Sequence, residues 1–511
     1  MINPATPRAA GVWPFCVAAK VLVLVIAGTQ YGFLADELYL LDAAARPAFG
    51  YVDFPPLTPW LLALLGWIGG TDLIWLRGLA CAAGIVTTLV AVDVCRILGG
   101  RNFAQWTTAI VVLFAPAFMS VQSIFTMNVL DQLWWLLALS VLLRYLHDHQ
   151  PRYMILLGVI FGLALLTKLA IAAFILCLLG TSALYARWMF YRTESWAGSA
   201  IALSMLAPFV MWQAVSGWPL LEFVQAYNVS EPEPMVLDQP LFGLIATMNP
   251  PFLLIWLPGL IYSLMAPKPI RVVGSAAVAT LVFFLAAGVK FYFATPLFAL
   301  FTALGAVLWQ RWLSSSGARS CLLAILLISG VAAVPIAAPV LAPTTLQQVA
   351  NFIRDAEQDK VADDDAPIGR YFPHFAEMHG WPELTEWVTR AYEGLPSARR
   401  PEVAVVAAYF GQAGALNQLD KADRLPVVHS GHMNYYLWWQ ADEPNARLED
   451  VLLVGFHPKE LEPLFAEITI LDRFSCNRCM TREQGAYLIR ARRPLIDPEE
   501  IRDRLKRFHF F

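Results

Sequence analysis

Charge is the first thing this chain has little of. Of 511 residues, 15% are Asp, Glu, Lys or Arg and 58% are hydrophobic, whereas soluble domains carry about 25% charged residues. That shortage excludes a purely water-soluble globule. It is concentrated in the first two thirds, as long apolar runs, and from Thr345 onward the composition is that of a soluble protein. Basic charge is not in surplus: the net charge is -3. The basic stripe that meets nucleic acid is therefore missing, and no nucleic-acid partner is expected. An A-x-A-like cleavage site is missing near the start, so the apolar run from Val12 is expected to stay as a first helix. Internal repeats and low-complexity tracts are absent. Cysteine gives no zinc framework: Cys16, Cys81, Cys95, Cys177 and Cys321 lie in apolar runs, and Cys476 and Cys479 have no second ligand pair. That last pair reads as a disulfide or as two thiols, and its spacing also suits a redox site.

What is present is a series of apolar runs. A helix needs about 20 apolar residues to cross the hydrocarbon. About eleven runs qualify: 13–33, 73–95, 103–121, 128–146, 154–168, 170–188, 197–215, 246–266, 272–289, 291–310 and 320–341. The run 58–70 is too short and is expected to lie near the interface. Orientation follows from Lys and Arg in short loops. Arg8 precedes the first run. One alternate set of loops then holds Arg96 with Arg101, Arg144 with Arg152, Arg187 with Arg192, Lys268 with Arg271, and Arg311 with Arg319. That set is expected to be cytoplasmic. The opposite set is acidic or mixed: Asp36, Glu37, Asp42, Arg46 and Asp53, then Asp131, then Glu222, Glu231, Glu233 and Asp238. An odd span number from a cytoplasmic N-terminus puts the C-terminal region outside as well.

The expected fold is thus a polytopic α-helical membrane protein, with interfacial helices in the first external loop, plus a C-terminal soluble α/β domain. The division is expected at 1–344 and 345–511. In the tail, 346–357 and 383–393 read as helices; 402–409, 426–429, 450–455 and 486–490 read as strands.

The polar residues worth attention lie in the external loops. Asp36 and Glu37 follow the first span. Tyr51 and Asp53 introduce a loop with Pro55, Pro56 and Pro59, which fixes the backbone. A rigid acidic loop at a membrane surface suits a carboxylate that must hold its geometry. Asn128 and Asp131 stand i,i+3 at the outer end of a span, so both can face one side. An acid inside an apolar segment is costly and marks a functional site by default. Lys168 and Lys290, the latter just before Phe291 and Tyr292, are cations at external boundaries, against the positive-inside bias. A hard cation would suit Asp53. Plainer readings exist for each: interfacial charge for Asp36 and Glu37, a turn residue for Asp53, a helix-start acid for Asp131, snorkelling for the lysines. His432 and Tyr435 in the tail read as structural.

These residues resemble the C-type superfamily of membrane glycosyltransferases, near the protein O-mannosyltransferase and lipid A aminoarabinose transferase group. The features are Asp36-Glu37, Asp53-Phe54-Pro55-Pro56-Leu57 with Trp60, the Asp131 helix, Gly162 to Lys168, Lys290-Phe291-Tyr292-Phe293-Ala294-Thr295-Pro296, and Gly431 to Trp438. They run in the expected order along most of the chain. Where aminoarabinose transferases carry Glu-Lys before two prolines, this chain has Asp53-Phe54. The resemblance implies a polyprenyl-phosphate-linked sugar donor, a hydroxyl acceptor in the envelope, inversion at the anomeric carbon, and a plasma-membrane location. It implies Asp36 as general base, with Glu37 and Asp131 beside it. Lys290, Lys168 and Tyr292 would bind the donor phosphate, and Asp53, Asn128 and Tyr51 would position donor and acceptor. A divalent cation at Asp53 is the one metal it suggests. The rival class is a transporter or flippase of a lipid-linked glycan. Such proteins show repeated halves and mid-span polar sites; here the halves do not repeat and the acids gather at one surface.

A single-cysteine map with a membrane-impermeant reagent is expected to label loop 34–58 and the tail from outside the cell. Labelling of either one only from the cytoplasmic side contradicts the orientation.

Overall fold

The structure is a computed structural model and describes residues 6–230, 238–356, 368–442, 448–476 and 478–509. Glu231 and Glu233 of the expected external set lie outside the described residues. Each apolar run becomes helix. Six described helices are long and apolar enough to cross a membrane: Leu73–Ile97, Met127–Asp148, Thr193–Val215, Lys268–Ala286, Tyr292–Trp312 and Ser316–Ala337. Two more runs are helix pairs broken at a sharp bend, by 63° at Asn102–Phe114 with Pro116–Ser123, and by 94° at Leu241–Thr247 with Pro250–Met265. Proline sits at both breaks, where it cannot continue the hydrogen-bond ladder. The runs at Val12–Ala27, Pro151–Thr167 and Ile171–Tyr185 form shorter apolar helices, as does Leu57–Gly69. At 1.5 Å per residue these reach about 20–25 Å, less than the full hydrocarbon thickness.

The C-terminal region carries a five-stranded sheet. Its strands are β1 Ala404–Ala407, β2 Val428–Ser430, β3 Asp450–Val454, β4 Phe465–Arg473 and β5 Tyr487–Pro494, in the order β2-β1-β3-β5-β4. β1 pairs in parallel with β2 and β3, while β5 runs antiparallel between β3 and β4. Buried Val405, Val406, Leu452 and Leu453 form its centre. The four predicted strands are present. β4 was not predicted: its sequence Phe465-Ala-Glu-Ile-Thr-Ile-Leu-Asp-Arg473 is largely exposed at the sheet edge, so it lacks a clean apolar face.

This sheet domain is tied to the first loop of the membrane part. Helix Ala35–Ala45 lies against helix Phe410–Leu419. Gly411 and Gly414 make the approach possible: a Cβ at these positions would come within 2.9 Å of Ala35 Cβ and 3.0 Å of Leu38 Cβ. One apolar core then runs through both regions, with Leu38, Tyr39, Tyr51 and Phe54 packed with Phe410, Ala413 and Tyr435. Polar contacts fix the register. Asp42 accepts hydrogen bonds from the Tyr435 hydroxyl, Gln418 and Asn417. Asn434 takes the Val52 N–H at 3.1 Å on its side-chain oxygen. His432 and Tyr435, read as structural from the sequence, sit within this docked segment.

Buried Asp42 needs those donors, and removing one from a charged hydrogen bond costs about 1–3 kcal/mol. Tyr435→Phe is therefore expected to lower the melting temperature of the protein in nanodiscs and to speed proteolytic cutting between the two regions. An unchanged melting curve contradicts the docking role.

Candidate functional site

The site is built where several helices end on one side of the bundle. Helix Val12–Ala27 ends there and helix Ala35–Ala45 begins; helix Met127–Asp148 starts there, helix Pro151–Thr167 stops, and Phe291–Ala294 leads into Thr295–Trp312. Asp36 stands in the first turn of Ala35–Ala45, where the helix dipole favours an acid. It lies deep in the protein yet keeps part of its surface open. Its charge is felt by Glu377, Asp53, Lys290 and Arg482. Burial, then Glu377 and Asp53, raise its pKa from 3.8 to about 7, against the pull of Lys290 and Arg482.

Asp53 is placed by a short relay. Its Oδ1 accepts from the Tyr39 hydroxyl at 2.9 Å, and the Tyr39 oxygen accepts from the Asn434 N–H at 3.1 Å. The sheet domain thus sets this carboxylate through Tyr39. Burial pushes the Asp53 pKa up to about 7, opposed by the Tyr39 bond. The backbone around it is pinned: the Tyr51 N–H bonds to Phe54 O at 3.2 Å, and the Gln213 amide to Tyr51 O at 3.0 Å.

The cationic side is equally ordered. Lys168 Nζ donates to Asn128 Oδ1 at 2.7 Å and sits 3.3 Å from the centre of the Phe293 ring and 5.1 Å from that of Tyr292. Its charge is felt by Asp131, Lys290 and Asp36. Asp131 is buried and accepts from Trp135 Nε1 at 2.9 Å. Lys290 is exposed.

The structure therefore brings Asp36, Asp53, Asn128, Asp131, Lys168, Lys290 and Tyr292 into one neighbourhood. Two further expected residues have their oxygens already engaged. Glu37 is fully buried and both its oxygens are taken: Oε2 by the Leu34 N–H at 2.9 Å, with Arg77 at 3.9 Å, and Oε1 by the Phe125 N–H at 3.0 Å. This is a helix cap locked to a neighbouring helix. Tyr51 is a staple: its hydroxyl meets Ala43 O at 2.9 Å and Arg46 O at 3.1 Å, so its oxygen is spent on the loop rather than offered to a ligand. For the divalent cation expected at Asp53, the described residues offer no further cluster of protein ligands. No group of three or more His, Cys, Asp or Glu among the described residues is placed to hold a metal ion.

Three residues of the sheet domain join the site without having been foreseen. Arg482 pairs with Glu377 at 2.5 Å and donates to the Tyr409 hydroxyl at 2.9 Å, its guanidinium 3.9 Å from the Tyr409 ring centre. The Tyr409 hydroxyl also reaches Glu377 at 3.2 Å. In the sequence, Glu377 and Arg482 look like ordinary charges of a soluble domain, and nothing local distinguishes them. Cys476 and Cys479 are thiols, with the Cys479 N–H 3.2 Å from Cys476 Sγ.

An apolar helical array, a cluster of acids and lysines at one end, and a small sheet domain docked over it make up a fold that solved structures of ArnT and of an archaeal oligosaccharyltransferase share. Residues 53–212 match the family described as dolichyl-phosphate-mannose-protein mannosyltransferase. Among solved structures, ArnT from Cupriavidus metallidurans in the apo state is similar with a TM-score of 0.64 at 16% identity, over 94% of this chain and 98% of that one. ArnT bound to undecaprenyl phosphate gives 0.60 at 16% identity, with the same coverage. The Archaeoglobus fulgidus oligosaccharyltransferase tethered with an acceptor peptide gives 0.52 at 12% identity, over 88% of this chain and 69% of that one. No curated protein matches the chain. The resemblance read from the motifs thus holds at the level of fold.

The raised pKa of Asp36 has a stability consequence. Between pH 3.8 and about 7 the folded chain keeps a proton that the unfolded chain has lost. Stability from this group is therefore full below that window and falls as pH rises through it. Asp36→Asn is expected to raise the melting temperature at pH 8, with the gain shrinking towards pH 5. A gain that is absent at pH 8, or larger at pH 5, contradicts the burial of this charge.

Proposed function

We propose that the protein is an inverting glycosyltransferase that moves a sugar from a polyprenyl-phosphate donor to a hydroxyl acceptor at the extracytoplasmic face of the plasma membrane. The observation that carries this reading is the pairing of a half-open, basic-leaning carboxylate, Asp36, with two lysines, Lys290 and Lys168, at one end of an apolar helical array. In this reading residues 1–344 are the transferase domain and 345–511 an external α/β domain, with the N-terminus cytoplasmic. The solved relative bound to undecaprenyl phosphate supports the donor class.

The chemistry assigned to the residues is as follows. Asp36 accepts the proton of the acceptor hydroxyl as its oxygen attacks the anomeric carbon from the face opposite the phosphate. The bond from that carbon to the phosphate oxygen breaks, and the electron pair leaves with the lipid phosphate. Lys290 and Lys168 neutralise the charge that develops there, with Tyr292 beside them. Asn128 and Asp131 hold the Lys168 ammonium. Asp53, next to Asp36, provides negative charge near an oxocarbenium-like centre. A pKa near 7 suits Asp36 to this work, because a base poised near the working pH both takes and releases a proton.

In a transfer assay with purified protein, Asp36→Asn is expected to lower turnover by about 10²–10⁴-fold, the usual worth of general base catalysis. Wild-type turnover should rise with pH through about 7, as Asp36 ionises. Lys290→Ala is expected to raise KM for the donor more than KM for the acceptor. Normal turnover in Asp36→Asn, or an unchanged donor KM in Lys290→Ala, contradicts these assignments.

A further inference from the structure

The sheet domain contains a cavity that the transfer chemistry above does not use. It has a volume of about 170 Å³ and lies where β1 and β3 end, walled by Tyr409, Gln412, Gly455, Arg482, Glu483 and Arg507. The carboxyl ends of parallel strands are where open α/β sheets hold their ligands. Gly455, at φ 81°, follows β3 directly, and a Cβ there would lie 2.5 Å from the Gln412 amide. The glycine is what lets Gln412 lie across the strand ends.

Two acceptors in this wall are buried and unfilled. Gln412 is 3% exposed and Glu483 2%. The Gln412 amide donates to Glu483 Oε2 at 2.7 Å, which fixes both side chains. The remaining oxygens, Gln412 Oε1 and Glu483 Oε1, have no hydrogen-bond partner among the described residues. Glu483 Oε1 lies 3.5 Å from Arg482 Nε, close enough to share charge but outside hydrogen-bond geometry. His432 is wall only: Nδ1 accepts from the Phe410 N–H at 3.2 Å and Nε2 meets His509 O at 2.6 Å.

The chemistry of this wall selects its ligand. Buried acceptors left empty call for a donor. An anion would meet the Gln412 and Glu483 oxygens. A metal or ammonium ion would meet the Arg482 and Arg507 guanidinium groups. A neutral group with several hydroxyls satisfies both sides, donating to the oxygens and accepting from the guanidinium N–H groups. The cavity is also joined to the candidate site, since Arg482 and Tyr409 contact Glu377, which neighbours Asp36.

We propose that this cavity binds a neutral saccharide unit, and that it seats the sugar of a glycosylated acceptor beside the transfer site. The second half rests on the transferase reading; the first does not.

The test is saturation-transfer difference NMR on the full-length protein in nanodiscs. The probes are methyl α- and β-glycosides of neutral hexoses and a pentose, with inorganic phosphate and Mg²⁺ as competitors. Ring protons of at least one glycoside are expected to receive saturation, unaffected by either competitor, and binding is expected to weaken tenfold or more in Gln412→Leu and in Glu483→Gln. Glu483→Gln preserves the side-chain shape and carries the test if Gln412→Leu does not fold. Absence of glycoside signal in the wild type, signals indifferent to both variants, or displacement by phosphate or Mg²⁺ overturns the site. Glycoside binding without transfer from any polyprenyl-phosphate sugar leaves the saccharide site standing and removes the transferase reading. Transfer without glycoside binding does the reverse.

Discussion

Two carboxylates, Asp36 and Asp53, are held deep in protein without being sealed, and the rest of the site is arranged around that condition. Burying a carboxylate favours its protonated form unless charges or donors offset the lost hydration. Here the offset is partial. Asp53 has the Tyr39 hydroxyl, and Asp36 has Lys290 and Arg482 against Glu377 and Asp53. Partial compensation leaves both pKa values raised to about 7. The cover that creates this condition is the sheet domain, brought close by Gly411 and Gly414 and registered by Asn434 and Tyr435. The domain is therefore part of the site's electrostatics as well as its roof.

Helix Ala35–Ala45 shows how one short element sends its three acids to different surroundings. Successive residues turn by about 100° around a helix. Asp36 and Tyr39, three apart, share the face towards Asp53 and the site. Glu37 is turned towards Arg77 and the Phe125 N–H, where its oxygens are consumed. Asp42 meets Tyr435, Gln418 and Asn417 on the docking side. Glu37 and Asp42 fix the helix at its two ends, so that Asp36 is presented in a constant direction. On the opposite wall, Lys168 is fixed in the same manner by Asn128 and the Phe293 ring.

Much of this was legible in the sequence, for physical reasons. Apolar runs near the length of a span have one stable form in hydrocarbon, so every predicted run is helical. The charges that break those runs are costly, which is why Asp36, Asp131, Lys168 and Lys290 stood out and why they meet in space. What was not legible depends on contacts far along the chain. Glu377 and Arg482 lie among many exposed charges, and only folding brings them to Asp36. The contacts of Glu37 with Arg77 and the Phe125 N–H were not legible because sequence adjacency to Asp36 does not reveal which way a helix turns it. The stapling contacts of Tyr51 were not legible because its hydroxyl meets backbone carbonyls, a use that leaves no side-chain signature. β4 was missed because it is exposed on both faces along most of its length, so it has neither the alternation of a half-buried strand nor the apolar run of a buried one.

The most direct measurement of the central claim is transfer by the purified full-length protein in nanodiscs, from a panel of polyprenyl-phosphate sugars to hydroxyl acceptors, with the product anomer read by NMR. The account predicts that at least one sugar is joined to an acceptor, with the anomeric configuration inverted and free polyprenyl phosphate released. Retained configuration, or movement of the intact lipid-linked sugar across the bilayer without transfer, would contradict it.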